Sequence, residues 1–248
     1  MPTPILEVCA YNLPSALVAQ HAGAARIELC DSAAEGGTTP SYGALVTARE
    51  KLHIPLYPII RPRAGNFWYN AQELDIMKKD ILLCKTLGCE GISTGVQLQN
   101  GKLDVDAMKR IAEWAYPMGL TCHRVFDVTP DPFEALEQLI DAGYERVLSS
   151  GQQRTAPEGT GLLARLVRAA NDRIAIMPGA GIRAANIENL VRETGAKEFH
   201  ASARKPIPDA VTYLNPAVSG DYGAAWLANE AELRSILAVL NAQEAAVQ

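Results

Sequence analysis

Short apolar segments alternate with longer amphipathic segments along the whole chain. The apolar segments have the length of buried strands, and they predict strands at 5–9, 26–30, 55–61, 90–94, 119–125, 145–150, 173–178 and 197–201. The segments between and after them repeat apolar residues at helical spacing. They predict helices at 14–22, 41–52, 71–87, 104–116, 131–142, 160–170, 183–194 and 230–242.

Strict alternation of strands and helices predicts parallel strands joined by right-handed crossovers. Eight such units in 248 residues predict an α/β protein with a (β/α)8 TIM-barrel fold, formed by residues 1–248 as a single domain. An open doubly wound sheet is the alternative. A long loop is predicted at about 205–229, before a C-terminal helix at about 230–242. The long connections follow strands, which places them at the C-terminal face, where barrels form their binding sites.

The pattern Glu-x-Cys occurs in both of the first two predicted strands, as Glu7 with Cys9 and as Glu28 with Cys30. Alternate side chains of a strand point to opposite faces. The helix layer outside a barrel favours the aliphatic set, so both Glu-x-Cys pairs are predicted to point inward. The same alternation turns more polar residues inward near the ends of later strands, namely Arg61, His123, Glu198, His200 and Ser202.

Buried charges of this kind must be paired, because an isolated one costs several kcal/mol. Arg61 lies on the strand next to Glu28 and is its expected partner. His123 is a candidate general acid or base oriented by a carboxylate, and Asp127 follows it closely in the sequence. The alternative interpretations are a structural salt-bridge network and a core histidine with satisfied hydrogen bonds.

Cys9 and Cys30 are predicted near the C-terminal ends of adjacent strands, which run about 4.8 Å apart. Two thiols at such a distance can ligate a soft ion such as Cu(I). A disulfide is also possible geometrically. Free cysteines are, however, often simply small buried residues, and this interpretation stays open.

Small residues and basic side chains follow several of the strands and predict an anion site at the mouth. Glycine-rich loops that lead into helices expose backbone N–H groups, and barrels often bind phosphate after strands 7 and 8. The alternative is that the glycines only make tight turns. The candidates are Arg63, Gly151, Gly179, Gly181, Ser202 and Arg204, together with Arg61.

Composition narrows the function classes. The net charge is −5 and the sequence pI is about 5.5, which argues against a nucleic-acid partner. No segment reads as a signal peptide or a membrane span. Five cysteines without a framework spacing fit a reducing compartment, so we expect a cytoplasmic protein.

Seven segments, in order between residues 5 and 204, together resemble the copper homeostasis protein CutC family: LEVCAYN, RIELCDSAAEGGTTPS, IIRPRAGNFWY, CHRVFD, VLSSGQ, MPGAGI and EFHASAR. The resemblance implies a (β/α)8 barrel and a cytoplasmic homo-oligomer, a dimer or tetramer. It also implies Cu(I) binding through Cys9 and Cys30. The implied polar set at the mouth is Glu7, Glu28, Arg61, Arg63, His123, Asp127 and His200. The chain departs from the family at Ala64, Gly65 and Asn66, and at Leu214.

Three functional hypotheses follow. The first is a cytoplasmic Cu(I)-binding protein of copper homeostasis. The alternative is an uncharacterised enzyme that acts on a small phosphate- or carboxylate-bearing molecule at the barrel mouth. The third is an oligomeric scaffold without chemistry.

Overall fold

The protein forms an eight-stranded parallel sheet that curves into a barrel. The fold is that of a computed structural model, which describes residues 4–207, 211, 213 and 225–245. The strands of the barrel are β1 (Ile5–Ala10), β2 (Arg26–Leu29), β3 (Leu56–Ile60), β4 (Gly91–Thr94), β5 (Gly119–Cys122), β6 (Arg146–Ser149), β7 (Ala175–Pro178) and β8 (Glu198–Ala201). Their order is β7-β6-β5-β4-β3-β2-β1-β8, and a parallel bridge between Gly179 and His200 joins the two end strands. The (β/α)8 prediction is confirmed, and the doubly wound alternative is wrong.

A helix follows each strand or its loop, as predicted. The helices are α1 (Leu13–Ala22), α2 (Tyr42–Lys51), α3 (Ala71–Thr86), α4 (Val105–Ala115), α5 (Pro132–Asp141), α6 (Thr160–Ala170), α7 (Ala184–Thr194) and α8 (Glu230–Ala245). Local signals set their ends. Asp131 caps α5 by accepting from the N–H groups of Phe133 and Glu134, with Pro132 in the first turn. Gly195 ends α7 at φ 69°, in the left-handed region.

The main hydrophobic core lies between the barrel and its helices. Leu6, Val8 and Ile27 are fully buried there, and Leu29 nearly so. Each such side chain contributes about 1.5–3 kcal/mol of burial free energy. Since these residues alternate with the Glu-x-Cys positions, the outward packing of the aliphatic set confirms that both Glu-x-Cys pairs face the interior.

A short antiparallel hairpin was not expected from the sequence. It joins β9 (Arg204–Pro206) to β10 (Trp226–Ala228), at the two ends of the predicted 205–229 loop. Asn12, the N-cap residue of α1, connects the hairpin to this helix. The side-chain amide of Asn12 donates to the carbonyl oxygen of Trp226 at 2.8 Å. Most of the loop between these strands, with Leu214, lies outside the described residues.

We find no helix within the described ranges that has both the length and the apolar character required to cross a bilayer.

Candidate functional site

The C-terminal ends of the strands open into a cavity of about 490 Å³. Eight of the residues predicted for the site line it: Cys9, Glu28, Arg61, His123, Gly181, His200, Ser202 and Arg204. The cavity therefore lies where the strand alternation predicted a mouth. Its size falls within the range of sites that hold small molecules.

Two thiols and a carboxylate meet at the floor of this cavity, which Cys9 and Glu28 line and the buried Cys30 does not. Sγ of Cys9 lies 3.6 Å from Sγ of Cys30, and Sγ of Cys30 lies 3.5 Å from Oε2 of Glu28. One ligand atom from each of the three residues lies within 4.8 Å of the others. The hydrogen bond from Cys30 lowers the pKa of Cys9 well below its usual value, whereas burial raises the pKa of Cys30. The hydrogen bond between the two sulfur atoms thus favours loss of a proton from Cys9 over loss of a proton from Cys30.

His200 connects this floor to the strand layer below it. Its Nδ1 lies 2.7 Å from Oε1 of Glu7, and its Nε2 lies 3.7 Å from Oε2 of Glu28. Burial opposes the imidazolium, but hydrogen bonds with Cys9 and Glu7 outweigh it and raise the pKa of His200 well above its usual value. Burial, together with the charge of Cys9, raises the pKa of Glu28 to about 8. The surroundings thus favour the charged form of His200 and the uncharged form of Glu28.

Glu7 lies beneath the cavity and does not line it. It accepts from Arg26, and Arg26 Nη2 donates to Oε2 of Glu198 at 2.6 Å. Arg146 Nε donates to the same oxygen at 2.5 Å. Burial alone would raise the pKa of Glu7, but Arg26 and His200 hold it at about 2. In this layer the structural salt-bridge interpretation is confirmed.

Sequence reasoning missed the two cations of this layer. Arg26 precedes Glu28 by two positions in β2, and Arg146 begins β6. The same strand alternation that turned Glu28 inward would have turned Arg26 inward as well.

The expected ion pair between Arg61 and Glu28 is wrong. Arg61 Nη1 donates to the carbonyl oxygens of Glu35 and Gly37, each at 2.7 Å, and Nη2 donates to that of Gly65 at 2.9 Å. The reason is the loop after β2, which folds over the mouth and brings its carbonyl groups to the guanidinium. Glu28 instead neighbours Cys30 and His200.

His123 and Asp127 do not pair, so the expectation that Asp127 orients His123 is also wrong. Nδ1 of His123 accepts from the N–H of Val125 at 3.2 Å. Asp127 lies on the short 3-10 helix Arg124–Val128, which turns it toward the end of β6. There it accepts from the hydroxyl of Ser149 at 2.6 Å and from Arg124 Nε at 2.8 Å. Asp127 organises a loop and lies outside the cavity lining.

Three of the predicted anion-binding residues do not line the cavity. Arg63 pairs with Glu73 and donates to the carbonyl oxygen of Trp68 at 2.6 Å. Gly151 packs so closely on Gly159 that a Cβ would overlap its backbone. Gly179 forms the bridge to His200. These residues shape the loops that surround the mouth.

The first backbone donors of α7 are already engaged. The N–H of Arg183 donates to Oδ1 of Asn186, and that of Ala184 donates to Oε1 of Glu232, both at 2.9 Å. The carboxylate of Glu232 thus lies at the start of α7, where the glycine-rich loop predicted a bound anion.

The cavity lining also contains residues that were not among the predicted site residues, including Tyr11, Phe67, Arg124 and Arg183. Tyr11 could have been found, since it follows Cys9 by two positions on the inward side. Phe67 belongs to a loop whose fold only the tertiary structure decides. Arg124 and Arg183 also lie beyond the strands, where alternation no longer applies.

The fold and the polar cavity at its C-terminal end define the chain as a TIM-barrel protein with a candidate site at the usual face. The family model of the CutC family matches residues 4–205, and the chain belongs to this family. A family protein CutC of Chromobacterium violaceum is 50% identical over 214 residues, covering 86% of this chain and 87% of the relative. A CutC family protein of Xanthomonas campestris is 46% identical over 235 residues, which cover 95% of this chain and 98% of the relative.

Solved structures agree with the family assignment. The crystal structure of CutC from Streptococcus agalactiae superposes with a TM-score of 0.77 at 37% identity, covering 80% of this chain and 98% of that one. Phosphoribosylanthranilate isomerase from Thermotoga maritima superposes with a TM-score of 0.59 at 10% identity, covering 96% and 99%. The second likeness shows a shared fold only.

Proposed function

We propose that the protein binds Cu(I) through Cys9 and Cys30 and serves copper homeostasis in the cytoplasm. The observation that carries the proposal is the approach of the two sulfur atoms to 3.6 Å in a buried floor. Two thiolates bound to one metal at about 2.3 Å, in a tetrahedral arrangement, lie at about this separation. Soft thiolate ligands favour Cu(I).

The surroundings of the two thiols fit a cation. Cys9 is already stabilised as a thiolate, and an ion would replace the proton of Cys30. Glu28 Oε2 lies 3.5 Å from Sγ of Cys30 and, once it has lost its proton, would be a third and weaker ligand, because carboxylate oxygen suits harder ions than Cu(I). His200, protonated, would balance part of the charge of two buried thiolates. The CutC protein from Streptococcus agalactiae is itself described as a putative copper homeostasis protein.

The test is a Cu(I) competition titration against a chromogenic chelator, under anaerobic conditions. We expect the double variant Cys9→Ser/Cys30→Ser to bind at least a hundred-fold more weakly than the native protein. The matched control is Cys84→Ser/Cys89→Ser, because those two buried cysteines belong to α3 and its end and lie outside the cavity. Equal affinity of the native protein and the first variant would overturn the copper site.

The cavity volume favours a second candidate function. A space of about 490 Å³ is far larger than an ion needs and suits a small organic molecule. The candidate is an enzyme acting on a phosphate- or carboxylate-bearing substrate, with Glu28 and His200 as the proton-carrying groups. A turnover screen of phosphorylated and carboxylated metabolites with metal-free protein tests it. Loss of any observed activity in Glu28→Gln is the expected result.

Location and assembly stay predictions. All five cysteines are free thiols, which supports a reducing compartment. Homo-oligomer formation, as a dimer or tetramer, is checked by sedimentation equilibrium, and a monomer at all concentrations would contradict it.

A further inference from the structure

Two nitrogen atoms in the cavity wall are buried without a hydrogen-bond partner among the described residues. They are Nε2 of His123 and Nε of Arg61, in side chains that line the cavity and are less than a tenth exposed. An unsatisfied buried polar group destabilises the folded state, and more so when it is charged. Such groups in a cavity wall indicate a missing partner, which a ligand would supply.

The hydrogen bond at Nδ1 of His123 determines whether its other ring nitrogen, Nε2, is a donor or an acceptor. Nδ1 accepts from the N–H of Val125, so in the neutral ring the proton resides on Nε2. Burial, and then the charge of Arg61, lower the pKa of His123 to about 3, which keeps the ring neutral. The Nδ1–Cε1 edge of the ring faces Gly95. The Nε2–H group is the remaining donor of the ring, and it has no hydrogen-bond partner among the described residues.

Arg61 is a buried cation whose neighbours do not neutralise it. Its hydrogen-bond partners within the described ranges are three carbonyl oxygens, and none is a carboxylate. Carbonyl dipoles orient a guanidinium but leave its net charge, which is costly in a dry wall. An anion would offset that cost and accept from Nε–H.

Phe67 holds the two donor groups in one wall. The guanidinium carbon of Arg61 lies 5.2 Å from the centre of its ring, and the ring of His123 lies 4.7 Å from it. We propose that Arg61 and His123 form the oxyanion pocket of a binding site for a small organic anion. A carboxylate or phosphate oxygen of the ligand accepts from both donors, and its carbon skeleton packs against Phe67.

This site keeps Arg61 from the anion site that the sequence predicted, and it uses His123 in place of the glycine loops. It uses the β3 and β5 ends of the barrel, away from the engaged α7 donors. It does not require copper. It names the ligand class on which the second candidate function rests, and binding is measured without turnover, so failure of binding and failure of catalysis are distinguishable.

The test uses metal-free protein and two probes, inorganic phosphate and glycolate, followed by NMR. The chain has four histidines, so the imidazole ¹H–¹⁵N spectrum contains few signals, and His123→Asn assigns its own. We expect at least one probe to shift the Nε2 signal of His123. Phosphate alone, glycolate alone or both would identify the oxyanion. No shift with either probe at tens of millimolar would overturn the proposal.

Variants separate the binding role from a structural one. Asparagine at 123 keeps an acceptor for the Val125 N–H, and its shorter side chain carries no donor at the position of Nε2. His123→Asn and Arg61→Gln are each expected to weaken probe binding at least ten-fold, read from backbone amide shifts of Phe67. Arg192→Gln removes an exposed guanidinium at the far end of α7 and should change binding less than two-fold. Unchanged binding in a folded His123→Asn protein would exclude the oxyanion pocket.

Discussion

Nδ1 of His200 lies 2.7 Å from Oε1 of Glu7, so a carboxylate beneath the cavity holds the imidazole in its floor. Glu7 also accepts from Arg26, and it is 1% exposed. The position of His200 between the thiol pair and the ionic layer thus depends on a residue that touches no ligand. Four predictions follow from this organisation and its surroundings.

Replacement of Glu7 by glutamine should destabilise the protein by about 3 kcal/mol, because it leaves Arg26 and protonated His200 without their shared counter-charge. Urea unfolding at pH 7 measures this. The pKa of Glu7 is about 2 when folded and near 4.5 when unfolded. Its contribution is therefore present above pH 4.5 and lost as the pH falls toward 2. The exposed Glu193→Gln serves as control. Equal stability of native protein and Glu7→Gln would contradict the network.

His123 should make the protein acid-sensitive. Its pKa is lowered to about 3 in the folded state from an ordinary 6.5, so the unfolded chain takes up a proton first as the pH falls. Stability is lost from pH 6.5 downward, by about 2 kcal/mol at pH 5. Other groups titrate in this range, so the measured quantity is the difference between native protein and His123→Asn. That difference should vary with pH, and a constant difference between pH 5 and pH 7 would contradict the prediction.

Asp127 should matter for stability and leave His123 unaffected. Besides Ser149 and Arg124 it accepts from the N–H groups of Ser150 and Gln152. Asp127→Asn is expected to cost about 2 kcal/mol in thermal or urea unfolding. The tautomer of His123 should stay as it is, seen in the imidazole spectrum. A changed tautomer in this variant would indicate that Asp127 does interact with His123.

Gly91 is required because the ring of Tyr57 crosses the barrel above it. A Cβ at residue 91 would overlap that ring, which packs against the guanidinium groups of Arg26 and Arg146. Gly91→Ala should destabilise by about 2–3 kcal/mol. In the background of Tyr57→Ala the same change should cost much less, and a double-mutant cycle measures the coupling.

The matched control for this cycle is Gly43→Ala in α2, where nothing lies within 4 Å of the added Cβ. That change should stabilise slightly through helix propensity. Additive effects of Gly91→Ala and Tyr57→Ala would show that the ring can move away.

The sequence alone determined the barrel and the inward side of its strands. Alternation has a period fixed by backbone geometry, so Leu6 and Val8 on one side place Glu7 and Cys9 on the other. The helix ends at Asp131 and Gly195 were also predictable, because a cap depends only on residues close in sequence. The family resemblance added the thiol pair as a site, and the strands do bring Cys9 and Cys30 together.

Only the tertiary structure decided which polar residues meet. Arg61 turns to the carbonyl groups of the β2 loop and Asp127 to the end of β6, although the sequence suggested Glu28 and His123 as their partners. Glu7 pairs with Arg26, which the sequence analysis had not singled out. Partner choice among buried charges depends on loop paths and on barrel depth, which bring together residues distant in sequence. A pattern of period two shows on which side of a strand a residue lies. It carries no information about the path of a loop or about the depth of a residue in the barrel.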